Sequence, residues 1–519
     1  MKADTIPSKT QVIIIGAGPT GLSMAVQLLR HNIDFIIIEK NEKTTPFSKA
    51  LVIQARTLEI FYEIGLAEKA IKEGRITTSV NLFYKDKKKT TINISGLGEG
   101  LSVFPFALSL EQSKTEKLLV DYLAAHGKAI YWQTEFIRFE QSENVKVYCK
   151  DANGLEQIVE AEYLVGCDGA SSIVRHQMDL AFLGDTVPKM FYVADVKLNS
   201  PVINKDELFI FLIKKGFVLF FPMEGKGHYR VIGVLPDKTE VADNFTFKEI
   251  EPSIKEQITT ELVFEEIKWF STYKVHSRKA GSFINGRCFI AGDAAHIHTP
   301  AGGQGMNTGI QDAYNLAWKI AFTIKNKANS LVLESYNTER VENAKHLLQT
   351  TDRMFDMVAG SGIFWNFVRL KIFPLAARFF SKNSIINKHI FPLLSQIGIA
   401  YPNSVLTITS NIGNIKAGER MPYFVFKNGK NIFDYLKDPV FKILFFGDNQ
   451  QNMKEQIPVL KFQIATFYFS EIPKSIFQNH FDFYILLRPD NHISYVGKDL
   501  SSCKIFFEKI LNDQTNKNN

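Results

Sequence analysis

Cysteine is scarce in this chain. Only four occur in 519 residues, Cys149, Cys167, Cys288 and Cys503, and no pair has CxxC or zinc-ligand spacing. That excludes a disulfide-stapled scaffold, a zinc ribbon and a redox dithiol, and it fits a reducing, cytoplasmic compartment. The first ten residues hold no apolar run, so no signal peptide is expected. No stretch reaches the ~20 charge-free residues of a membrane helix. The most apolar helical candidate, 363–380, is broken by Arg369, Lys371 and Arg378 and reads as a packed helix rather than one lying on a membrane. A one-sided charge is missing too. The net charge is +7 and the pI 8.9, from lysines spread along the chain. The densest basic cluster, Lys85–Lys89, reads as a solvated hairpin tip rather than a nucleic-acid patch. His296 and His298 have no evident third ligand and read as structural, so no metal is expected.

What is present is an ordinary globular composition, 45% hydrophobic and 22% charged, in a chain long enough for several domains. Gln11–Ile15 and Phe35–Glu39 are β-branched runs flanking an amphipathic stretch from Leu22 to His31, a βαβ unit. The spacing predicts helices over 56–65 and 110–126. It predicts strands over 129–165, a half-buried antiparallel sheet over 189–234, and helices over 247–262, from Met306 to Lys325, and onward to Ala400. After Tyr401 short apolar strands return, at 442–446, 463–467, 484–488 and 493–497, and read as a small separate α/β domain.

Three motifs carry chemistry. Gly16-Ala-Gly-Pro-Thr-Gly21 lies between a strand and a helix. Gly16 permits the turn, Gly18 lets a pyrophosphate approach the backbone, and Gly21 lets helix and strand pack. Glu39 ends the second strand at the spacing of a ribose-binding carboxylate, which favours FAD or NAD over NADP. The second motif, Tyr163 to Arg175, places Asp168-Gly169 at a strand tip, with Ser172 either near a helix cap or near a ligand. The third, Arg287 to Gly309, places Asp293 at another strand tip. Gly302, Gly303 and Gly305 come next, and a helix start near Met306 is suited to the negative edge of a reduced flavin.

Together these motifs resemble the group A flavoprotein monooxygenases, the para-hydroxybenzoate hydroxylase-type family. Gly16–Gly21 matches its dinucleotide motif, Asp168, Gly169 and Arg175 its DG motif, and Gly292-Asp293 with Pro300 its GD motif. Segments 54–59, 110–112 and 312–318 add to the match, which spans about residues 10 to 345. The C-terminal part resembles the phenol hydroxylase, polyketide hydroxylase and rifampicin monooxygenase branch. The resemblance implies an α/β fold: a Rossmann-like FAD-binding domain (10–75, 100–180 and 275–345), an inserted antiparallel-sheet substrate domain (76–99 and 181–274), a helical connector (346–405) and a thioredoxin-like domain without a dithiol (406–512). It implies that Thr20, Glu39 and Lys40 hold the ADP part of FAD. Gln112 would sit near the ribityl chain or pyrophosphate, Asp293 would bind the ribityl chain, and Met306 and Asn307 would meet the flavin ring through their backbone. Lys49 stands where relatives usually have an arginine, keeping the charge but not the planar fork.

The chain holds a single GxGxxG, so NADH or NADPH, as transient reductant, has no Rossmann domain of its own. The implied cycle is hydride transfer to FAD, oxygen capture as a C4a-hydroperoxide and transfer of one oxygen atom to a phenolic or polycyclic aromatic substrate, with water excluded. Phe217–Phe221 and Phe191-Tyr192 could roof that substrate or be plain sheet core. His276, Tyr192, Tyr229 and Arg230 are candidates for a base by position only, so the catalytic residue is left unassigned. An antibiotic-inactivating enzyme acting on rifamycin- or tetracycline-type compounds, a non-oxygenating flavin oxidase or reductase, and a flavin-bearing binding protein stay open. The expected partners are a small aromatic molecule and O2, with the chain as a monomer or homodimer and no nucleic acid or integral membrane association.

Overall fold

The computed structural model describes every residue except 1–5, 47–49, 85–86, 204–206, 214–215, 237–238, 240–243, 361, 381–383, 449–461, 479–480 and 512–519. The βαβ unit forms as expected, with strand Lys9–Ile15, helix Pro19–Arg30 and strand Phe35–Ile38. Its central strands are buried on both faces and so are apolar without alternation, with Val12, Ile13 and Ile14 fully buried. Lys9–Ile15 pairs in parallel with Phe35–Ile38 on one side and with Glu156–Gly166 on the other. Glu156–Gly166 in turn pairs in parallel with Cys288–Ile290. Strands far apart in sequence thus lie side by side, and all three motifs leave from one edge, the carboxyl ends of a parallel sheet, where ligands of such folds sit. Cys167 and Cys288 are buried core residues there.

Among the described residues the second sheet has eight strands. Its order is His296–Ile297, Val263–Ala280, Phe182–Asn199, His228–Val234, Gly216–Pro222, Leu208–Ile213, Ser79–Tyr84 and Lys87–Asn93. Two of its strands are 18 residues long and pair antiparallel from Phe182↔Ala280 out to Asn199↔Val263. Their inner end adjoins the motifs, because Arg278 and Lys279 pair with Ile297 and His296. The helix expected over 247–262 stops at Gln257. Beyond it, Val263–Ala280 is one strand crossing the boundary expected at 275. Only short His296–Ile297 flanks it on the outside, so most of its length is an edge, and edges carry charge. Glu265, Glu266 and Lys268 are exposed there and mask the strand period.

The C-terminal sheet orders its four strands Ile464–Phe469, Phe441–Phe446, Phe483–Leu487 and Ile493–Gly497. The first two are parallel, and Phe483–Leu487 runs antiparallel to both of its neighbours. Helix Ser501–Ile510 covers one face with Cys503, Phe506 and Phe507, where Trp318 and Phe322 of helix Gly305–Asn326 join the same core.

Candidate cofactor and substrate site

At the first motif the glycines divide their work by geometry. Gly16 has φ +99°, and a Cβ on it would lie 2.5 Å from the Cys167 carbonyl oxygen. A Cβ on Gly21 would lie 1.9 Å from the Gly16 carbonyl oxygen, which cannot yield because it is backbone. Gly18 is different, since no atom lies within 4 Å of its Cβ position. It is the N-cap of helix Pro19–Arg30, and no side chain caps that end, so the first-turn N–H groups face an open, backbone-lined cradle. Glu39 is placed against it. Its Oε2 accepts from Ala17 N at 2.8 Å and its Oε1 from Asn41 N at 3.0 Å, which fixes the carboxylate at the tip of its strand. Lys40 beside it is exposed. Lys49 lies outside the described residues.

Thr20 joins this motif to the third. Its Oγ1 sits 2.4 Å from the Cβ position of Gly292 and 2.3 Å from that of Gly309, so only glycine fits at either place. Gly292 has φ +61° and turns the chain out of strand Cys288–Ile290, leaving Asp293 exposed on the turn. The Gly292 N–H donates to Asp312 Oδ2 at 2.9 Å, which also pairs with His296 Nε2 at 2.7 Å. Arg340 Nε donates to Asp312 Oδ1 at 2.6 Å. Burial alone would raise the Asp312 pKa, but Arg340 and His296 outweigh it and hold the carboxylate below its usual range. His296 is thus tied to the turn by a carboxylate.

The glycine loop is clamped by side chains. Asn307 Nδ2 donates to the Val52 and Gly303 carbonyls at 2.8 and 2.9 Å, and its Oδ1 accepts from Gln54 N. Gln54 Nε2 donates to the Gly302 carbonyl at 2.9 Å. Pro300 is exposed at the start of the loop, and Met306 is half-buried. Helix Gly305–Asn326 begins with no side-chain cap and no acid in its first turn. His298 Nδ1 donates to the Thr299 carbonyl at 2.6 Å, and burial lowers its pKa to about 4, so it is neutral with Nε2 as a bare acceptor. Among the described residues, His298 Nε2, Thr299 Oγ1 and Gln304 Nε2 are buried without a protein partner. Such clustered unmatched atoms suit a ligand with donors and acceptors along its edge, as a flavin has.

The second motif is tied to the third by Arg175, whose Nη1 donates to the Ala294 carbonyl at 3.0 Å and whose guanidinium lies 4.0 Å over the Phe182 ring. Asp168 accepts from Ser172 Oγ and Val174 N, and Ser172 caps the short helix after it through Arg175 N. Gln112 begins helix Gln112–Ala125 and donates through Nε2 to Glu116 at 2.8 Å. Glu116 is buried, and its pKa rises to about 7, first from burial and further from Glu39, against the Gln112 hydrogen bond. Glu116, Gln54, Asp312 and Arg340 had no role assigned from sequence. The i,i+4 step from Gln112 was the available signal for the first; for Arg340 there was none.

The eight-stranded sheet has two unlike faces, set by the two-residue period of its strands. Tyr192, Phe220, Tyr229 and Val231 pack into a core under helix Phe247–Gln257. Phe191, Phe217, Leu219, Ile232 and Tyr273 line the other side with Phe355. Arg230 belongs to this second face. It is paired to Asp195 by two bonds of 2.7 Å, and its Nη1 donates to the Ala50 carbonyl, which also accepts from Gln112 N. That bond turns the aromatic face toward the motif side. The candidate bases do not gather. Tyr192 is buried in the other core and pushed above the ordinary phenol range. Tyr229 lies in that core too. His276 bonds Thr186 Oγ1 at 2.9 Å, and Arg230 is a guanidinium held by a carboxylate.

An open backbone cradle at a helix start, a carboxylate fixed beside it and a loop with unmatched polar atoms fit an FAD-binding flavoprotein. Residues 9–351 match the family described as FAD binding domain. The chain is 30% identical over 509 residues to the "Uncharacterized aromatic compound monooxygenase YhjG" of Bacillus subtilis (strain 168), covering 96% of this chain and 97% of that protein. It is 30% identical over 365 residues to the rifampicin monooxygenase of Streptomyces venezuelae, 67% of this chain and 71% of that one. The solved structure of OxyS anhydrotetracycline hydroxylase from Streptomyces rimosus superposes with a TM-score of 0.79 at 25% identity, covering 97% of this chain and 99% of that one. The chain belongs to the FAD-binding domain family and is an FAD-dependent monooxygenase, as the resemblance implied. No described helix is long and apolar enough to cross a membrane.

Proposed function

We propose that the protein uses NADH or NADPH and O2 to place one oxygen atom on a phenolic or polycyclic aromatic substrate. The observation that carries this reading is the aromatic face of Phe191, Phe217, Leu219, Ile232 and Tyr273, turned toward the motif side by Arg230. An extended apolar wall suits a flat ring system and keeps water from the reacting atoms. FAD held here would accept two electrons from NADH or NADPH and, once reduced, activate O2. In this reading the open Gly18 cradle takes the pyrophosphate, with Gly16 and Gly21 shaping it, and Glu39 takes the ribose. Asp293 and Gln112 serve the ribityl chain, and Gly303, Gly305, Met306 and Asn307 present backbone to the flavin edge. Thr20, Asp168, Gly292 and Pro300 shape the turns around it.

The names of the relatives favour a second substrate class. One acts on rifampicin and another on anhydrotetracycline, so a rifamycin- or tetracycline-type antibiotic is the narrower version of the same reaction. The C-terminal strand order, with its single antiparallel strand, supports a thioredoxin-like reading of 406–512 without redox chemistry, since Cys503 is alone there. The separate sheets support a division into FAD-binding, substrate and C-terminal parts, with strand Val263–Ala280 running across the boundary expected at 275, and four unpaired buried cysteines suit a cytoplasmic setting. The test is NADH and NADPH oxidation by the FAD-loaded protein against a panel of phenols, polyketide aromatics, rifamycins and tetracyclines. Substrate-stimulated oxidation with a product heavier by one oxygen is expected. Hydrogen peroxide as the only product across the panel would make it an oxidase instead.

A further inference from the structure

The helical run after the flavin domain has an outward face that its packing leaves bare. Ile363–Phe367 is α-helical, Val368–Ile372 forms a π turn and Phe373–Phe380 is α-helical again. Leu370 and Phe373 dock this run onto Leu82, Leu212 and Ile92 of the substrate sheet, and Arg369 is buried, donating to the Gly360 carbonyl. Phe364, Phe367, Ile372 and Leu375 point the other way, exposed by 67%, 57%, 46% and 70%. The π turn takes up one extra residue, which brings Ile372 and Leu375 back into line with Phe364 and Phe367. A contiguous apolar stripe of this kind marks an interaction surface.

The charge around the stripe says what it meets. From 357 through 418 the sequence contains no aspartate or glutamate, and Lys371 within the run is exposed. The helix also packs against strand Lys87–Asn93, the edge of the sheet, which exposes Lys87, Lys88 and Lys89. Lysines guard sheet edges in general, which accounts for them alone but not for the bare phenylalanines beside them. We infer that this face, the Phe364–Leu375 stripe with the Lys87–Lys89 edge, docks the protein on the surface of an anionic lipid bilayer. The apolar side chains would enter the headgroup boundary and the lysines would meet lipid phosphates, as in interfacial helices.

The test is flotation of the full-length FAD-loaded protein with vesicles of equal parts phosphatidylglycerol and phosphatidylcholine, beside vesicles of phosphatidylcholine alone. Binding to the anionic vesicles is expected, weakened by salt. Lys87→Glu/Lys88→Glu/Lys89→Glu should lower it by at least about fivefold per position. Phe364→Ser/Phe367→Ser/Leu375→Ser should abolish it, with flavin content and activity in solution kept as the sign of an intact fold. No binding by the parent protein overturns the inference, as does binding that neither variant weakens. A parent dimer that the serine variant turns into a monomer would overturn it in favour of a second copy of this chain.

Discussion

The two ends of the proposed cofactor groove are built in opposite ways. The ADP end is local: Gly16 to Glu39 form one βαβ unit, and their contacts are backbone packing at glycine plus one carboxylate. The flavin end is assembled from distant segments. Its turn at Gly292 is held by Asp312, Asp312 by Arg340, and Arg340 by Tyr401 at 2.8 Å. Next to Arg340, Glu339 accepts from Arg488 and Lys319, both buried, and Arg488 also pairs with Asp490. One end therefore stands on steric fit, and the other on buried charges that reach into the C-terminal domain.

If so, the two ends should fail differently. The largest effect is expected from Gly21→Ala at the local end, because the added methyl meets a backbone oxygen 1.9 Å away. The purified protein should lack flavin absorbance, and a normal flavin content would remove the steric argument. Next is Arg488→Met, which leaves Asp490 buried without its arginine and Glu339 with Lys319 as its remaining cation, and should cost about 3–5 kcal/mol in denaturant unfolding. Asp312→Asn removes the charge that Arg340 and His296 share, and charged hydrogen bonds of about 1.5–3 kcal/mol translate to FAD binding weakened by about ten- to a hundredfold. ADP competition should be unchanged in that variant. Equal losses of ADP and FAD binding would erase the distinction between the two ends. The smallest effect concerns pH. Glu116 titrates at about 7 in the folded protein, above its ordinary 4.5. The native state therefore holds that proton more tightly, and stability should fall as pH rises from about 4.5 to about 7. Glu116→Gln should flatten that part of a Tm-against-pH curve, and an unchanged slope would place the titration elsewhere.

This contrast also explains what was legible in the sequence. The βαβ unit was plain because parallel strands buried on both faces are continuous apolar runs, and Gly21 packs on Gly16 a few residues away, although Gly16 itself packs on distant Cys167. The strand tips at Asp168 and Asp293 were visible for the same reason. The clamp on the glycine loop was not, since Gln54 and Asn307 are polar residues whose partners are backbone carbonyls in other segments. Nor was Arg340, which lies mid-helix among other charged residues. The aromatic strands were recognised, but which ring faces the site depends on register, and one residue separates Phe191 from Tyr192. The long strand from Val263 was missed because its charges lie along an exposed edge.

Strands Phe182–Asn199 and Val263–Ala280 share one inner end, where Arg175 covers the Phe182 ring and Arg278 pairs with Ile297. Mechanically they are a cantilever. At 18 residues they reach about 60 Å. A tilt of about one degree at the root therefore sweeps the free end by roughly 1 Å, and the register shifts between Thr186 and Met190, Asp195 and Val196, and Lys197 and Leu198 place compliant points from the root outward. Sub-ångström changes around Asp168 and Gly292 are thus magnified along the sheet that carries the aromatic wall.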